Sequence, residues 1–476
     1  MSLNLDNPFA DYGGIVSGER FIGRKNSLKV LKQRIIHPRE PANTAVISAP
    51  RLGKSSLVYD FISNHRHELR TKRIVPIWIN LATYQEIEDF FCSLVNHCYD
   101  ELESLGWLSE ELEHAAHPFL QRDFFGIEGY IRIQRFFEKA RRAGIRVLFV
   151  LDEFDYARVL FHNNMAAFQM LRELSYRPEW RISYIVITRS PIHEIEVQNG
   201  SISTFEGIFH NHYLTMFNDK EMGEYFSCLS SVGVVIDKGV RDKVGHYCGG
   251  HPYLIDMLGY EMVEIMREYQ RTDIVSAFKR IEGSIFHEYK HLVTWLHERG
   301  RFKTIKQILF DDTADAEQAE IYELLRYGLI KIEGDSLSVF SEHFHEYLES
   351  ERQTNDKTLV EDSIASVQQE HRIKILFLAA NPKDTPQLRL GEEVRAIDQA
   401  IRQAEFRDRF DINQFWATRV SDLQECLLRF KPDIVHFSGH GSRFSEIILE
   451  DNLGNSRPIS VPALSRLVVP EKPLNP

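Results

Sequence analysis

Apolar runs without interruption punctuate the first part of the chain: TAVI at 44–47, RIVPIWINLA at 73–82, IRVLFVLDEFD at 145–155 and RISYIVITRS at 181–190. None alternates apolar with polar positions, so each predicts a strand buried on both faces. Helical periodicity fills the gaps, most plainly in GYIRIQRFFEKARRAG at 129–144. Buried strands alternating with helices predict an α/β fold, a parallel sheet covered on both faces. From about 217 to 300 the pattern is helical throughout, centred on GGHPYLIDMLGYEMVEIM. Residues 303–349 hold helical segments and then GLIKIEGDSLSVF, two short alternating strands around Gly334-Asp335. That pattern predicts a hairpin, and helices plus a hairpin predict a winged helix. The polar stretch 351–370 predicts a linker. RIKILFLAANP at 372–382 then opens a second α/β unit, which runs through a charged helix to KPDIVHFSGHGS at 431–442.

A chain of 476 residues is too long for one ordinary core. The pattern divides it into an N-terminal segment (1–40), a sheet core (41–215), a helical lid (216–300), a winged helix (301–350), the linker (351–370) and a terminal unit (371–476). Hydrophobic residues make up 43% and charged residues 26%, the balance of a soluble globular protein. No apolar run reaches the roughly 18 residues of a membrane span. The start, MSLNLDNPFADYGG, lacks the basic flank and apolar core of a signal peptide. Five cysteines without metal-ligand spacing predict reduced thiols, and with them a cytoplasmic protein. A net charge of -12 opposes a broad electrostatic grip on nucleic acid.

SAPRLGKSSL, 48–57, lies between a predicted strand and a predicted helix, where inward-turned amides and a helix N-terminus stabilise phosphate. Its expected nucleotide contacts are Arg51, Gly53, Lys54, Ser55 and Ser56. Lys54 reaches the β- and γ-phosphates of ATP or ADP, and the Ser55 hydroxyl ligates Mg²⁺. Ser48 stands where the usual first glycine of such a loop stands. Asp152 ends an apolar strand and is expected at the same sheet edge, holding the Mg²⁺ water shell. Glu153 is placed to polarise an attacking water as general base. Asp155 is expected to cap the next helix. Thr188 and Arg189 end the following strand, and Arg189 is expected to sense the γ-phosphate.

As a set, these residues resemble a STAND-type signalling ATPase of the AAA+ superfamily, the group that includes NOD-like receptors. The resemblance covers roughly residues 7–350. Phe21, Gly23 and Arg24 match the FxGR element that the family places near adenine. Thr188-Arg189 matches its strand-end Thr-x-Arg without the spacer. Gly250-His251-Pro252 matches the GxP motif of the lid, whose proline packs on the base. The resemblance implies a P-loop, AAA-like NTPase with slow hydrolysis, closed around ADP and open with ATP, when it forms a homo-oligomer and engages a protein partner or effector. It also implies a winged-helix histidine touching ADP, for which His343 is the choice over His345. Two other classes stay open: a winged-helix DNA-binding ATPase resembling origin-recognition ATPases, and a nucleotide-binding scaffold without turnover. The mixed charges Lys303, Lys306, Asp311, Asp312, Asp315 and Glu317 speak against specific nucleic-acid binding.

Residues 371–476 resemble the front part of a CHAT domain, a caspase-like fold found beside STAND ATPases in bacteria. The matching pieces are KILFLAANP, LRLGEEVRAIDQAI, DLQECLLRFKPDIVHFSGHG and EIILEDNLGNSRPIS. The resemblance makes His440 the catalytic base of a thiol nucleophile, and leaves His436 structural. No cysteine follows His440, and Cys426 lies among apolar helix neighbours that imply packing. The expectation is therefore a partial caspase-like domain without its nucleophile and no peptidase activity in this chain. A truncated gene, a fragment and a domain that only binds all fit.

Overall fold

A computed structural model describes residues 7–120, 126–162, 164, 166–198, 205–310, 317–334, 336–361, 373–386, 388, 410–415, 432, 434–440, 446–451 and 455–460. The chain divides into two units, Met1–Asn355 and Asp356–Pro476. The first is built on a parallel sheet of β1 (Thr44–Ile47), β2 (Ile74–Asn80), β3 (Arg146–Asp152), β4 (Ser183–Thr188) and β5 (His210–Tyr213), in the order β2-β3-β4-β1-β5.

The continuous apolar runs are buried on both faces. On one face Val46, Leu148, Val150 and Ile185 pack with Leu31 of α1 (Lys25–Leu31), Leu57 and Phe61 of α2 (Lys54–Asn64) and Leu69 of α3 (Arg66–Thr71). The alternate residues Ala45, Val75, Phe149 and Tyr184 belong to a second cluster. That cluster takes in α4 (Ile87–Ser104), α5 (Glu110–Leu120), α6 (Gly126–Arg142), α7 (Ala157–Leu160), α8 (Ala166–Tyr176) and α9 (Ile192–Gln198), and continues into the helices beyond the sheet. The fifth strand, HNHY, was not predicted: it is short and polar, and pairs only with β1 at the sheet edge.

Four helices follow: α10 (Asp219–Ser231), α11 (Lys238–Cys248), α12 (Pro252–Tyr269) and α13 (Ile274–Glu298). Their starts are written in the sequence. Asn218 and Glu221 form a capping box at α10, Asp237 caps α11, Pro252 opens α12, and Asp273 caps α13. The unit closes with α14 (Phe302–Phe310), α15 (Gln318–Arg326), the hairpin of β6 (Ile330–Glu333) and β7 (Ser336–Val339), and the part of α16 (Glu342–Glu361) up to Asn355. This is the helix–helix–hairpin–helix order of a winged helix. One expectation is corrected here. The start of the expected linker is helical, because ERQTNDKTLVE holds good helix formers and neither glycine nor proline. Residues 362–370 lie outside the described residues.

In the second unit β8 (Ile373–Ala379) lies between β10 (Ile434–Ser438) and β9 (Phe410–Phe415), all parallel. A separate hairpin joins β11 (Glu446–Glu450) and β12 (Ser456–Ser460). The expected charged helix and Cys426 lie outside the described residues. Among the described residues, no helix is long and apolar enough to cross a membrane.

The turn between α11 and α12 packs closely against neighbouring backbone. Gly249 has φ +55, and a Cβ there would stand 1.9 Å from the carbonyl oxygen of Phe340, just beyond β7. Gly250 has φ +82, and its Cβ would stand 2.6 Å from the carbonyl oxygen of Phe217. We predict that Gly249→Ala lowers stability by at least about 2 kcal/mol through strain and overlap, measured by chemical denaturation. Gly245→Ala, in the same helix with nothing within 4 Å, is the control and is expected to be neutral or stabilising.

Candidate functional site

The carboxyl ends of β1, β3 and β4 open into a cleft of about 700 Å³, bounded by the N-terminal segment, α12 and α13. The loop after β1 forms its floor. Gly53 caps α2 with φ 84 and ψ 29, a conformation that glycine adopts without strain, and the first turn of α2 faces the cleft. Ser48 is not among the positive-φ residues, so a side chain is accommodated where such loops usually carry glycine. Arg51, at φ 58, takes the left-handed position instead.

The Lys54 side chain is half-buried and folds back along the loop. It donates to the Ser48 carbonyl (3.3 Å), the Ser48 hydroxyl (3.1 Å) and the Ala49 carbonyl (3.2 Å). Burial lowers its pKa to about 8, against the opposing pull of Asp155, Glu153 and Asp152. Beside it the Ser55 hydroxyl donates to the Asp152 carboxylate at 3.0 Å. Burial raises the Asp152 pKa, while bonds from the Glu153 amide and Ser55 work the other way. A hydroxyl and a carboxylate in contact at a sheet edge are a fitting pair of oxygen ligands for Mg²⁺.

Glu153 takes a left-handed conformation, φ 50 and ψ 44, directly after β3 and lines the cleft. It makes no cap and pairs instead with Arg189, Nη2 to Oε2 3.2 Å. Asp155 is corrected. It does not cap a helix: its carboxylate accepts from the Thr188 hydroxyl (3.0 Å) and the Arg189 amide (2.6 Å), joining the ends of β3 and β4.

The cleft is also lined by Gly13, Ile15, Val16, Phe21, Ile22, Pro252 and Tyr253. The N-terminal segment is tied down there. The Val16 amide donates to the Ser56 hydroxyl at 3.1 Å, and the Gly18 amide to Asp60 at 2.8 Å. Ser56 therefore lines the cleft while holding this segment. Arg24 lines the cleft too, but its guanidinium donates to the carbonyls of Thr215 (2.8 Å) and Leu52 (3.0 Å), bracing the loop against the segment that follows β5.

The far wall is a stripe of α13, Glu288, His291, Trp295 and Glu298, at helical spacing. The sequence does not single it out; its i, i+3, i+7 and i+10 spacing is the available signal. Glu288 pairs with Arg51 at 2.8 Å, and the Arg51 guanidinium sits over Tyr253.

Just beyond α13, Arg299 is nearly buried. It donates to the Ser190 hydroxyl (3.0 Å) and to Glu194 (3.0 Å) on the sheet core, and to Glu323 of α15. The Tyr327 hydroxyl, after α15, donates to the Arg189 carbonyl at 2.9 Å. The winged helix is thus bonded to the residue expected to sense the γ-phosphate. His343, in contrast, does not line the cleft. It is buried against Tyr247, Phe278 and Phe286, with Nδ1 3.2 Å from the Tyr289 hydroxyl, and burial lowers its pKa.

In the second unit His440 follows β10. Its Nε2 lies 2.8 Å from the Pro386 carbonyl, which only accepts, so Nε2 is the donor in that bond. Gly439 is required there, because a Cβ would stand 2.9 Å from the Ala380 carbonyl oxygen. His436 stacks on Phe377, ring centroids 4.9 Å apart.

No family model matches the chain. The walker-type ATPase paby2304 of Pyrococcus abyssi superposes with a TM-score of 0.50 at 14% identity, covering 72% of this chain and 99% of that one. The fold is that of a P-loop ATPase. Cdc6p from Pyrobaculum aerophilum gives a TM-score of 0.41 at 13% identity, over 73% of this chain and 98% of that one. A curated Roc-COR-CHAT protease from an unknown prokaryotic organism is 34% identical over 89 residues. That match spans 18% of this chain and 8% of the relative's length.

The position of Lys54 yields a prediction with a sign. Phosphate favours the ammonium and raises its pKa, so binding takes up a proton wherever the free lysine is neutral. Nucleotide affinity should be flat, as far as this group is concerned, below about pH 8 and fall above it by up to about tenfold per pH unit. Lys54→Ala should weaken binding by about 1.5–3 kcal/mol and abolish that dependence. Titration calorimetry of ADP across the range measures both; equal affinity in the variant contradicts the assignment.

Proposed function

We propose that the chain is a nucleotide-operated signalling switch of the STAND type. It binds ATP or ADP in the cleft, hydrolyses ATP slowly, and releases its winged helix to form a homo-oligomer in the ATP state. The observation that carries this is the bond from Tyr327 to Arg189, which joins the winged helix to the strand end that faces the phosphates.

Lys54 and the amides around Gly53 hold the β- and γ-phosphates. Ser55 and Asp152 are the residues that would hold Mg²⁺, which neutralises phosphate charge when bound. Glu153 orients the attacking water and takes its proton. Arg189 exchanges its ion pair with Glu153 for the γ-phosphate, which frees the base and pulls on the strand end that Tyr327 grips. Arg51, Ser56 and Pro252 line the nucleotide, with Arg24 bracing the walls. The chain acts in the cytoplasm, and the second unit meets the protein partner or effector. His440 takes the base position of a caspase-like module. DNA reading by the winged helix is disfavoured, because Arg299 and Arg301 are already spent on Glu194, Glu320 and Glu323.

Glu153→Gln should keep ATP binding and slow hydrolysis at least about 100-fold, the usual worth of a positioned base. Wild-type turnover in that variant removes Glu153 from the role.

Light scattering tests the switch. Mass should stay monomeric with ADP and rise with a non-hydrolysable ATP analogue. Arg299→Ala and the milder Tyr327→Phe should both shift the protein toward the oligomer without the analogue. A mass independent of nucleotide in wild type and both variants would sink the proposal.

A further inference from the structure

One pair of side chains on α13 has no role in the chemistry described above. His287 and His291 are one turn apart on that helix, and both are exposed. Side chains at i and i+4 share one helix face. Their Nε2 atoms face each other at 2.8 Å, with ring centroids 4.4 Å apart and the rings crossed at 88°. A neutral imidazole has one N–H and one lone pair, so one ring donates to the other in this arrangement. Along the same stretch Ile285, Tyr289 and Leu292 are buried and hold the helix in place. His291 also lines the cleft. Glu288, three residues before it, pairs with Arg51 of the phosphate loop.

We propose that His287 and His291 together bind a divalent transition-metal ion of the zinc, nickel and copper class beside the cleft. Two nitrogens each about 2.0–2.1 Å from one ion stand about 2.9 Å apart at a right angle and about 3.3 Å apart at the tetrahedral angle. The observed separation of 2.8 Å is close to the first. Small turns of two exposed side chains therefore bring both lone pairs onto one ion. The ring that donated moves its proton to Nδ1 through solvent, and no net proton is released. Among the described residues there is no group of three or more metal-binding side chains, and Glu288 is held by Arg51. The protein thus supplies two ligands, and the ion's other positions are left to water or to a ligand entering the cleft. Imidazole nitrogen suits this class of ion, whereas Mg²⁺ takes oxygen, so the pair does not compete with Ser55 and Asp152. The site stands independently of the nucleotide reading.

The test is titration calorimetry of the nucleotide-free full chain with Zn²⁺, Ni²⁺ or Mg²⁺ alone. Zn²⁺ and Ni²⁺ should each fill one site, and Mg²⁺ should not. Either His287→Gln or His291→Gln should weaken that site at least about tenfold, because one ligand of a chelating pair is lost. Glutamine is a good helix former and both side chains are exposed, so the variants keep the helix. With Cu²⁺ as the probe, electron paramagnetic resonance should count two imidazole nitrogens in wild type and one in either variant. His67→Gln, at an exposed histidine of α3, should leave the site within about twofold. Lys54→Ala should also leave it intact, so a failed nucleotide cleft does not remove the metal site. Equal Zn²⁺ and Ni²⁺ binding in wild type and both variants, an equal loss in His67→Gln, or no uptake by wild type overturns the assignment.

Discussion

The carboxylate of Asp155 fixes the end of β4, and the rest of the site hangs from that end. By accepting from both the Thr188 hydroxyl and the Arg189 amide, it sets where the Arg189 side chain starts and therefore what it can reach. From there the guanidinium finds Glu153 across the carboxyl edge of the sheet. The same residue's carbonyl points the other way and is taken by Tyr327. One residue thus has its side chain in the cleft and its backbone in the hand of the winged helix. A rearrangement on one side need travel no further than a single peptide to be felt on the other.

In the proposed switch, Arg299 would give that coupling a two-state character. It is nearly buried, stacked near Trp295 and Tyr327, and bonded to acids on both the sheet core and α15. Half-breaking such a cluster is costly, because a buried charge left without its partner loses about 3–5 kcal/mol. The contact is therefore either made or fully released into water. Burial alone would raise the Glu323 pKa, but hydrogen bonds from Arg299 and Arg301 outweigh it and hold it low. A ligand shifts such an equilibrium only by its difference in affinity for the two states, and in the proposed switch that difference would enter at the Arg189 ion pair.

Much of this was legible in the sequence because local chemistry dictated it. Strands buried on both faces read as unbroken apolar runs, and the loop from Ser48 to Leu57 needed its strand before and helix after. Helix starts at Asn218, Asp237 and Asp273 carried their own caps. What escaped depended on which surface met which. Asp155 looked like a cap because it precedes a helix; only the neighbouring strand showed its bonds to Thr188 and Arg189. His343 was expected at ADP only because the family resemblance implies a winged-helix histidine there, yet it faces an aromatic cluster. The α13 stripe has the periodicity of any packed helix, and nothing local says that it faces a phosphate loop. Polar helix formers after residue 350 read as linker until a continuous helix through Glu361 appeared.

The central claim is that the nucleotide's γ-phosphate is felt by the winged helix through Arg189 and Tyr327. Hydrogen–deuterium exchange of the peptides spanning α15 and Tyr327 to Leu329 tests it most directly, comparing ADP with a non-hydrolysable ATP analogue. The account predicts faster exchange there with the analogue, and a loss of the difference in Tyr327→Phe. Equal exchange in the two nucleotide states, with binding of both verified, contradicts it.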